Sequence, residues 1–187
     1  MKITETTLIE VKIIEPDVFG DSRGFFFENY SYKRFLEFGI GDVFLQDNHS
    51  LSKKAGTLRG LHFQLTPHAQ AKLVRCTRGA ILDVAVDIRK NSPTYCQWTS
   101  VELSAENFKQ MYIPVGFAHG FVTLEDNTEV QYKTSDYYFK ESERSIKWND
   151  PSIGIEWFIN NPILSEKDRA APFIEHSGNR FIGEEGI

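Results

Sequence analysis

The chain has 187 residues, of which 41% are hydrophobic and 13% aromatic, and its net charge at pH 7 is −5. This length suits one well-packed domain, so we take residues 1–187 as a single domain. Lys and Arg are scattered among acidic residues, which argues against binding to nucleic acid or to an anionic membrane. Because the N-terminus lacks an apolar signal-peptide core and no apolar run approaches a membrane span, we expect a soluble, cytoplasmic protein.

The first third of the chain predicts short strands and one helix. A strand is expected from Leu8 to Ile14, and the turn-rich stretch from Phe19 to Gly24 is expected to be a loop that carries Arg23. Ser31 can cap a helix that Gly39 can end. This pattern indicates that helix contributes little to the fold.

The next two strands carry polar side chains at regular spacing. The strand from Val43 to Ser50 places Gln46 and Asn48 on one face. In the following strand, strict alternation sends Arg59 and His62 to opposite faces, unless Gly60 permits a twist or bulge or Arg59 lies at the mouth of the strand. Imidazole suits proton transfer near neutral pH, but a hydrogen-bonded core histidine fits the same pattern.

A β-hairpin is predicted from Lys72 to Ile88, with its turn at Arg78-Gly79. That register makes Lys72 and Asp83 diagonal neighbours on one face. Asp83 lies in an apolar run, where an acid is costly unless it is paired, and Lys72 is the nearest candidate partner. An ordinary cross-strand ion pair without chemistry would give the same pattern.

The second half of the chain continues with short strands separated by turn signals, which favours a sandwich or jelly roll. The predicted strands are Trp98 to Leu103, Met111 to Pro114, Phe117 to Leu124 and Glu129 to Ser135. Further on, we expect one more strand from Ile155 to Ile159, a helical turn from Leu164 to Arg169, and loose packing from Phe173 onward. The fold class is therefore mainly β with one or two short helices.

Metal and nucleophile motifs are missing from the sequence. Metal-binding cupins place two histidines two residues apart on one strand, whereas here His62 is followed by Gln64. The two cysteines, Cys76 and Cys96, fit neither a disulfide framework nor a zinc site. With no nucleophile elbow, P-loop or dinucleotide fingerprint either, the sequence favours acid–base chemistry without a metal or another cofactor.

Nine motifs in order resemble the dTDP-4-dehydrorhamnose 3,5-epimerase family, over about Phe19 to Pro172. They are Arg23-Gly24-Phe25-Phe26, Gln46-Asp47-Asn48-His49-Ser50, Leu58-Arg59-Gly60-Leu61-His62-Phe63-Gln64, Lys72-Leu73-Val74-Arg75, Asp83-Val84-Ala85-Val86-Asp87, Pro114-Val115-Gly116-Phe117-Ala118-His119-Gly120-Phe121, Tyr132-Lys133-Thr134, Trp148-Asn149-Asp150-Pro151 and Leu164-Ser165-Glu166-Lys167-Asp168. The resemblance implies a metal-free, cupin-like jelly roll, or double-stranded β-helix, that forms a homodimer. It also implies inversion of C3 and C5 of dTDP-4-dehydro-6-deoxy-D-glucose, in dTDP-L-rhamnose biosynthesis for cell-surface polysaccharide.

The resemblance also implies catalytic roles. His62 would be the base and Asp168 its partner, Lys72 would stabilise an enolate oxygen, and Tyr132 would return a proton from the opposite face. From the residues alone, Asp168 could equally belong to a Ser-x-x-Asp capping box that begins at Ser165. Likewise, Tyr132 alone would more often be a core tyrosine.

The implied substrate-binding residues are Arg23, Glu28, Gln46, Asn48, Arg59, His119, Tyr138, Glu143 and Lys167. Arg59 is the firmest candidate for the diphosphate, and Tyr138 is a candidate platform for the thymine ring. The family resemblance implies that the segment with Arg23 and Glu28 enters the site of the neighbouring subunit. Glu143 could instead be a solvated acid.

Two other functions fit parts of this pattern. One is a relative on the same scaffold that epimerises a single carbon or isomerises the ketone. The other is a sugar-nucleotide-binding module without turnover, which would give no reason for a base, an acid and an oxyanion cation to occur together.

Overall fold

The computed structural model describes residues 1–182, which form two packed antiparallel sheets and two short helices. The elements in chain order are β1 (Lys2–Glu5), β2 (Lys12–Glu15), β3 (Phe19–Asp21), β4 (Gly24–Phe26), α1 (Tyr32–Glu37), β5 (Gln46–Ser52), β6 (Leu58–Gln64), β7 (Lys72–Arg78), β8 (Ala80–Asp87), β9 (Trp98–Ser104), β10 (Gln110–Ile113), β11 (Phe117–Thr123), β12 (Thr128–Thr134), β13 (Glu143–Ser145), α2 (Glu166–Arg169) and a 3₁₀ turn at Ile174–His176. The mainly-β prediction is confirmed.

The larger sheet has the strand order β1-β2-β10-β7-β12-β5, and the smaller sheet has the order β13-β6-β11-β8-β9. Strands β3 and β4 form a separate hairpin. Within the part of the chain that the structure covers, neither helix has the length and apolar character that a bilayer span requires.

The main hydrophobic core lies between the inner faces of the two sheets. It includes Val74, Met111 and Val130 from the larger sheet and Ala85 and Phe121 from the smaller one. Alternate side chains of each strand point into this core, and strands such as β10 and β11 are buried at every position because both of their faces are covered. A second apolar cluster covers the outer face of the smaller sheet, where the chain after β13 packs on it.

The predicted hairpin from Lys72 to Ile88 is wrong. Strand β7 pairs with β10 and β12 in the larger sheet, whereas β8 pairs with β11 and β9 in the smaller one. At the connection, Gly79 has a φ of +72°, and a Cβ there would lie 2.5 Å from Thr128 Oγ1. The turn therefore passes the chain from one sheet to the other, so Lys72 and Asp83 belong to opposite sheets.

Other boundaries also differ from the sequence predictions. The first predicted strand is confined to Lys12–Glu15, and the predicted loop from Phe19 to Gly24 is part of the β3–β4 hairpin. The predicted strand from Ile155 to Ile159 is wrong. The backbone of this stretch is irregular and joins no strand ladder, and its apolar side chains pack on the smaller sheet. The predicted helical turn near residue 166 is confirmed as α2.

The segment after Phe173 is not loosely packed, at least as far as Phe181, which packs against the second apolar cluster. Ile174, Ser177 and Asn179 are each at most 5% exposed. Asn179 also ties this segment to the residue that follows β8, because its Nδ2 donates to the carbonyl of Ile88. Residues 183–187, to which the same prediction applied, lie outside the described residues.

Candidate active site

A cavity of about 460 Å³ lies between the two sheets and is closed on one side by residues 163–168. An adjoining cavity of about 130 Å³ extends towards residues 138 and 143. The two share His62, Lys72, Tyr132 and Glu143. All the predicted site residues except Arg23, Glu28 and Lys167 line one of these cavities.

A β-bulge brings Arg59 and His62 to the same cavity. On β11, His119 is opposite His62 and Phe121 is opposite Arg59, so a two-residue step on β11 faces a three-residue step on β6. The bulge needs glycine, because Gly60 has a φ of +128° and a Cβ there would lie 2.5 Å from the Cα of Gly120. The bulge overrides strict alternation.

His62 forms a close pair with Asp168. The distance from His62 Nε2 to Asp168 Oδ1 is 2.6 Å, and Asp168 is 3% exposed. Burial alone would raise the pKa of Asp168, but the hydrogen bond and charge of His62 hold it below its usual value. The carboxylate is therefore ionised at neutral pH and accepts a hydrogen bond from Nε2–H of His62. In the neutral imidazole, this tautomer leaves Nδ1 with its lone pair.

Asp168 also takes part in the predicted capping motif. Its backbone N–H donates to Ser165 Oγ at 3.1 Å, and Ser165 Oγ donates to its second carboxylate oxygen at 2.7 Å. Capping and pairing with His62 therefore coexist, and the cap fixes the carboxylate that faces the histidine. Ser165 is a site residue that the sequence prediction left out.

Lys72 reaches the cavity from the larger sheet. Its side chain is 9% exposed, and its Nζ donates to the carbonyl oxygen of His62 at 3.3 Å. Burial lowers the pKa of Lys72 to about 8, although the negative charges of Asp83 and Glu143 oppose the shift. The lysine is thus a cation near neutral pH, in a place with little water.

Asp83 is bonded to His119 rather than to Lys72. His119 Nε2 lies 2.7 Å from Asp83 Oδ1, and Asp83 is fully buried. Burial lowers the pKa of His119, although the charge of Asp83 opposes this. The predicted Lys72–Asp83 ion pair is wrong, because the two residues come from different sheets. The position of Asp83 in an apolar run did correctly indicate that this carboxylate has a buried polar partner.

Tyr132 and two amide side chains line the cavity from the larger sheet. Tyr132 lies opposite Asn48 in the β12–β5 register, and Gln46 Nε2 donates to Asn48 Oδ1 at 2.9 Å. Burial raises the pKa of Tyr132, and the charge of Arg59 only partly offsets this. The tyrosine therefore keeps its proton at neutral pH and can donate it.

At the mouth of the smaller cavity, Glu143 connects two other predicted residues. Tyr138 Oη donates to Glu143 Oε2 at 3.0 Å, and Lys167 Nζ lies 2.5 Å from Glu143 Oε1. Burial would raise the pKa of Glu143, but Lys167 and Tyr138 hold it below its usual value. Glu143 is therefore a paired carboxylate, and the Tyr138 ring above it is 54% exposed.

Arg23 and Glu28 lie outside the cavities of their own chain. The Arg23 side chain is 88% exposed and pairs with Asp21 beside the β3–β4 hairpin. Glu28 pairs with Arg34 at 3.2 Å. Within residues 1–182, no group of three or more His, Cys, Asp or Glu side chains is arranged to hold a metal ion.

The geometry defines a class of protein. Two antiparallel sheets enclose a cavity that holds a buried histidine–carboxylate pair, a buried lysine and a protonated tyrosine. Such a set can remove, stabilise and return protons. These features describe a jelly-roll enzyme of the acid–base type.

A family model described as dTDP-4-dehydrorhamnose 3,5-epimerase matches residues 5–176. The Salmonella typhimurium protein of that name is 56% identical over 179 residues, which cover 95% of this chain and 97% of the relative. The Pseudomonas aeruginosa protein is 54% identical over 171 residues, which cover 90% and 93% of the two chains. The chain therefore belongs to the dTDP-4-dehydrorhamnose 3,5-epimerase family and is an epimerase.

Solved structures agree with the family and with the cupin-like jelly roll. The Bacillus anthracis epimerase with TDP and PPi bound superposes with a TM-score of 0.90 at 49% identity, covering 92% of this chain and 98% of that one. The Legionella pneumophila epimerase in complex with dTDP-4-keto-L-rhamnose has a TM-score of 0.90 at 48% identity, covering 94% and 93%. A 3'-monoepimerase from Streptomyces bikiniensis in complex with dTDP-quinovose has a TM-score of 0.85 at 33% identity, covering 91% and 87%.

Proposed function

We propose that this chain inverts C3 and C5 of dTDP-4-dehydro-6-deoxy-D-glucose to give dTDP-4-dehydro-L-rhamnose, in the cytoplasm and for the synthesis of dTDP-L-rhamnose. The observation that carries the mechanism is the buried His62–Asp168 pair in one cavity with Lys72 and Tyr132. The test is incubation with that substrate, in which NMR coupling constants of the sugar ring should change to those of the L-rhamno product. Unchanged substrate would contradict the proposal.

His62 is the base that removes each proton. C3 and C5 both flank the C4 ketone, so loss of either proton gives an enolate. With Nε2 held by Asp168, the free Nδ1 takes the proton, and the carboxylate stabilises the imidazolium that forms. The reaction is redox-neutral and consumes no second substrate, so acid–base groups suffice.

Lys72 stabilises the enolate oxygen. A cation in a site with little water interacts strongly with charge that develops on the C4 oxygen. The Nζ of Lys72 is within hydrogen-bonding distance of the His62 backbone, which keeps the cation beside the base. His119, held by Asp83, provides a second polar group from the smaller sheet, on the other side of the cavity.

Tyr132 returns the proton from the opposite side. His62 comes from β6 of the smaller sheet and Tyr132 from β12 of the larger sheet, so the sugar lies between base and acid. Removal from one side and return from the other inverts the carbon, whereas return by the same group would only exchange the proton.

We expect Tyr132→Phe to separate removal of the proton by His62 from return of a proton to the opposite face of the sugar. The variant should form less than about 1% of the wild-type amount of L-rhamno product, since a general acid contributes about 10²–10⁴-fold. Solvent deuterium should still enter the substrate, because His62 and Lys72 remain. NMR of the recovered sugar in deuterated water measures both quantities. Full product formation by this variant would contradict the role of Tyr132.

The remaining predicted residues of the site bind the substrate. Arg59 is assigned to the diphosphate, because its guanidinium can hold phosphate oxygens through two parallel hydrogen bonds. Tyr138 is assigned to the thymine ring, since its face is half exposed at the mouth. The other binding residues are Gln46, Asn48, His119, Glu143 and Lys167.

We infer that the protein is a homodimer in which the segment with Arg23 and Glu28 enters the partner's cavity. The Arg23 side chain is 88% exposed and pairs with Asp21, which does not line the cavity. The aromatic residues around it, Phe19, Phe25 and Phe26, are each more than 60% exposed. An apolar surface of this kind favours contact with another protein surface.

Mixing two inactive variants tests the exchanged segment. His62→Ala and Arg23→Ala chains, refolded together, should recover about one quarter of wild-type activity. Half of the dimers would then be mixed, and each mixed dimer would contain one intact site of two. If each site is built from one chain, mixing would recover no activity beyond that of the separate variants. Analytical ultracentrifugation of both variants provides the control for dimer formation.

A single-carbon epimerase is the second candidate. The similarity to the Streptomyces bikiniensis 3'-monoepimerase favours it, because that protein shares the fold. The higher identity to the 3,5-epimerases favours inversion at both carbons.

A further inference from the structure

Gln64 has a structural function that its place in the sequence does not suggest. It lies two residues after His62 on β6, is 4% exposed, and stands where metal-binding cupins carry a second histidine. Its Nε2 donates to the carbonyl of His68 at 2.6 Å and to that of Tyr137 at 3.1 Å. Its Oε1 accepts from the backbone N–H of Phe139 at 2.8 Å. The amide is thus fully used by backbone groups.

Two other glutamines hold the same stretch of chain, residues 136–139. Gln70 Nε2 donates to the carbonyls of Asp136 at 2.7 Å and of Tyr137 at 3.1 Å. Gln46 Oε1 accepts from the N–H of Tyr138 at 3.2 Å. We call this stretch the tethered segment. It lies between β12 and β13, outside any strand ladder, so side-chain amides satisfy backbone groups that a neighbouring strand would otherwise satisfy.

The Tyr138 ring depends on this backbone for its position. The residue is 54% exposed, and its hydroxyl donates a hydrogen bond to Glu143. A half-exposed ring has few packing contacts to fix it, so the path of the tethered segment decides where the ring face points. Tyr138, Gln46, Gln64 and Gln70 all line the smaller cavity, which continues into the catalytic one.

We propose that Gln64, together with Gln70, positions Tyr138 as a platform for the base of the substrate, and so contributes to nucleotide recognition without touching the nucleotide. This rests on the proposed function, which assigns the base to thymine. Gln46, which is itself assigned to substrate binding, holds the same backbone through the N–H of Tyr138. Glutamine suits the task because one side chain offers two donors and an acceptor, which match the two carbonyls and the N–H around it. A carboxylate would face two carbonyl oxygens, and a thioether would bond to none of the three.

The consequence is a specific loss of affinity. When the segment is no longer held, the ring occupies its binding position for a smaller fraction of the time, and the apparent Kd rises by the inverse of that fraction. For Gln64→Met we expect dTDP to bind about 3- to 10-fold more weakly by calorimetry. Pyrophosphate, which has no base, should bind as it does to the wild type.

A double-mutant cycle separates positioning from general damage. Tyr138→Ala alone should weaken dTDP binding by about 5- to 100-fold, the range for loss of one stacked base. In that background Gln64→Met should cause no further loss, because no ring remains to be positioned. The thermal midpoint of each variant checks that it is folded.

Asn179→Leu is the matched control. Asn179 is also a buried amide that holds the backbone of an irregular segment, through contacts with Ile88 and Phe181, but it lies outside both cavities. Both single variants should lose thermal stability, and only Gln64→Met should lose affinity for dTDP. If Gln64→Met does not fold, Gln70→Met removes two of the tethering bonds from a less buried position and should give the same cycle.

Three outcomes would overturn the inference: unchanged dTDP affinity in a folded Gln64→Met, equal loss for pyrophosphate, or the same fold-loss with and without the Tyr138 ring. A wild-type chain that binds neither dTDP nor pyrophosphate would instead overturn the proposed function.

Discussion

His62→Ala is expected to lower kcat by about 10²–10⁴-fold, the usual contribution of a general base. The Kd for dTDP should stay within about threefold of the wild type, since dTDP lacks the sugar that faces His62. Turnover is measured by NMR of the product and Kd by titration calorimetry. The fall in kcat follows from loss of the Nδ1 that takes the proton, because the other histidine of the cavity, His119, is held by Asp83.

His49→Ala is a suitable control for this substitution. His49 also pairs with a carboxylate, at 2.9 Å from Glu129, but it does not line the catalytic cavity. It should keep wild-type kcat. A His62→Ala variant that retains turnover would contradict the role of the base, and a wild type that binds dTDP but never turns over would identify a binding module.

Lys72→Met is expected to lower kcat by about 10²–10³-fold, as is found when one donor to an oxyanion is lost. Its thermal stability should not fall, because methionine fills a similar volume and the buried charge, which is costly to desolvate, is gone. Lys72→Met should therefore lose kcat without a fall in its melting temperature. If Lys72 had only a structural role, the two quantities would fall together. Melting curves and kcat of the same preparation measure this.

The charge on Lys72 also predicts the alkaline side of the pH profile. Because burial lowers its pKa to about 8, Lys72 is charged below that pH and loses its proton as the pH rises through it. In the wild type, kcat/KM should therefore fall above about pH 8. Lys72→Arg, whose side chain stays charged, should shift this fall to higher pH. A profile that is flat from pH 7 to pH 10 would contradict the oxyanion role.

The contact between His62 and Asp168 illustrates what the sequence could predict. The two residues are 106 positions apart, and local spacing pointed to the capping box, which the structure also contains. The pairing depends on α2 packing against β6, a tertiary contact that no local pattern encodes. The family resemblance pointed to the pair, and the geometry explains how one carboxylate serves both interactions.

Strand pairing was the weaker part of the prediction. Alternation located most strands, because it reports which side chains are buried. It could not assign β7 and β8 to different sheets, since a short turn with glycine fits both a hairpin and a crossing between sheets. Arg23 and Glu28 lie outside the cavities of their own chain. In the proposed dimer they complete the partner's active site, and the structure of one chain does not contain that arrangement.

The most direct test of the account is to incubate the protein with dTDP-4-dehydro-6-deoxy-D-glucose in deuterated water and to follow C3 and C5 by NMR. Removal by His62 and return by Tyr132 predict deuterium at both carbons of the L-rhamno product, and none when His62 is replaced by alanine. Deuterium at one carbon would identify a single-carbon epimerase. Product without deuterium at either carbon would contradict proton transfer with solvent.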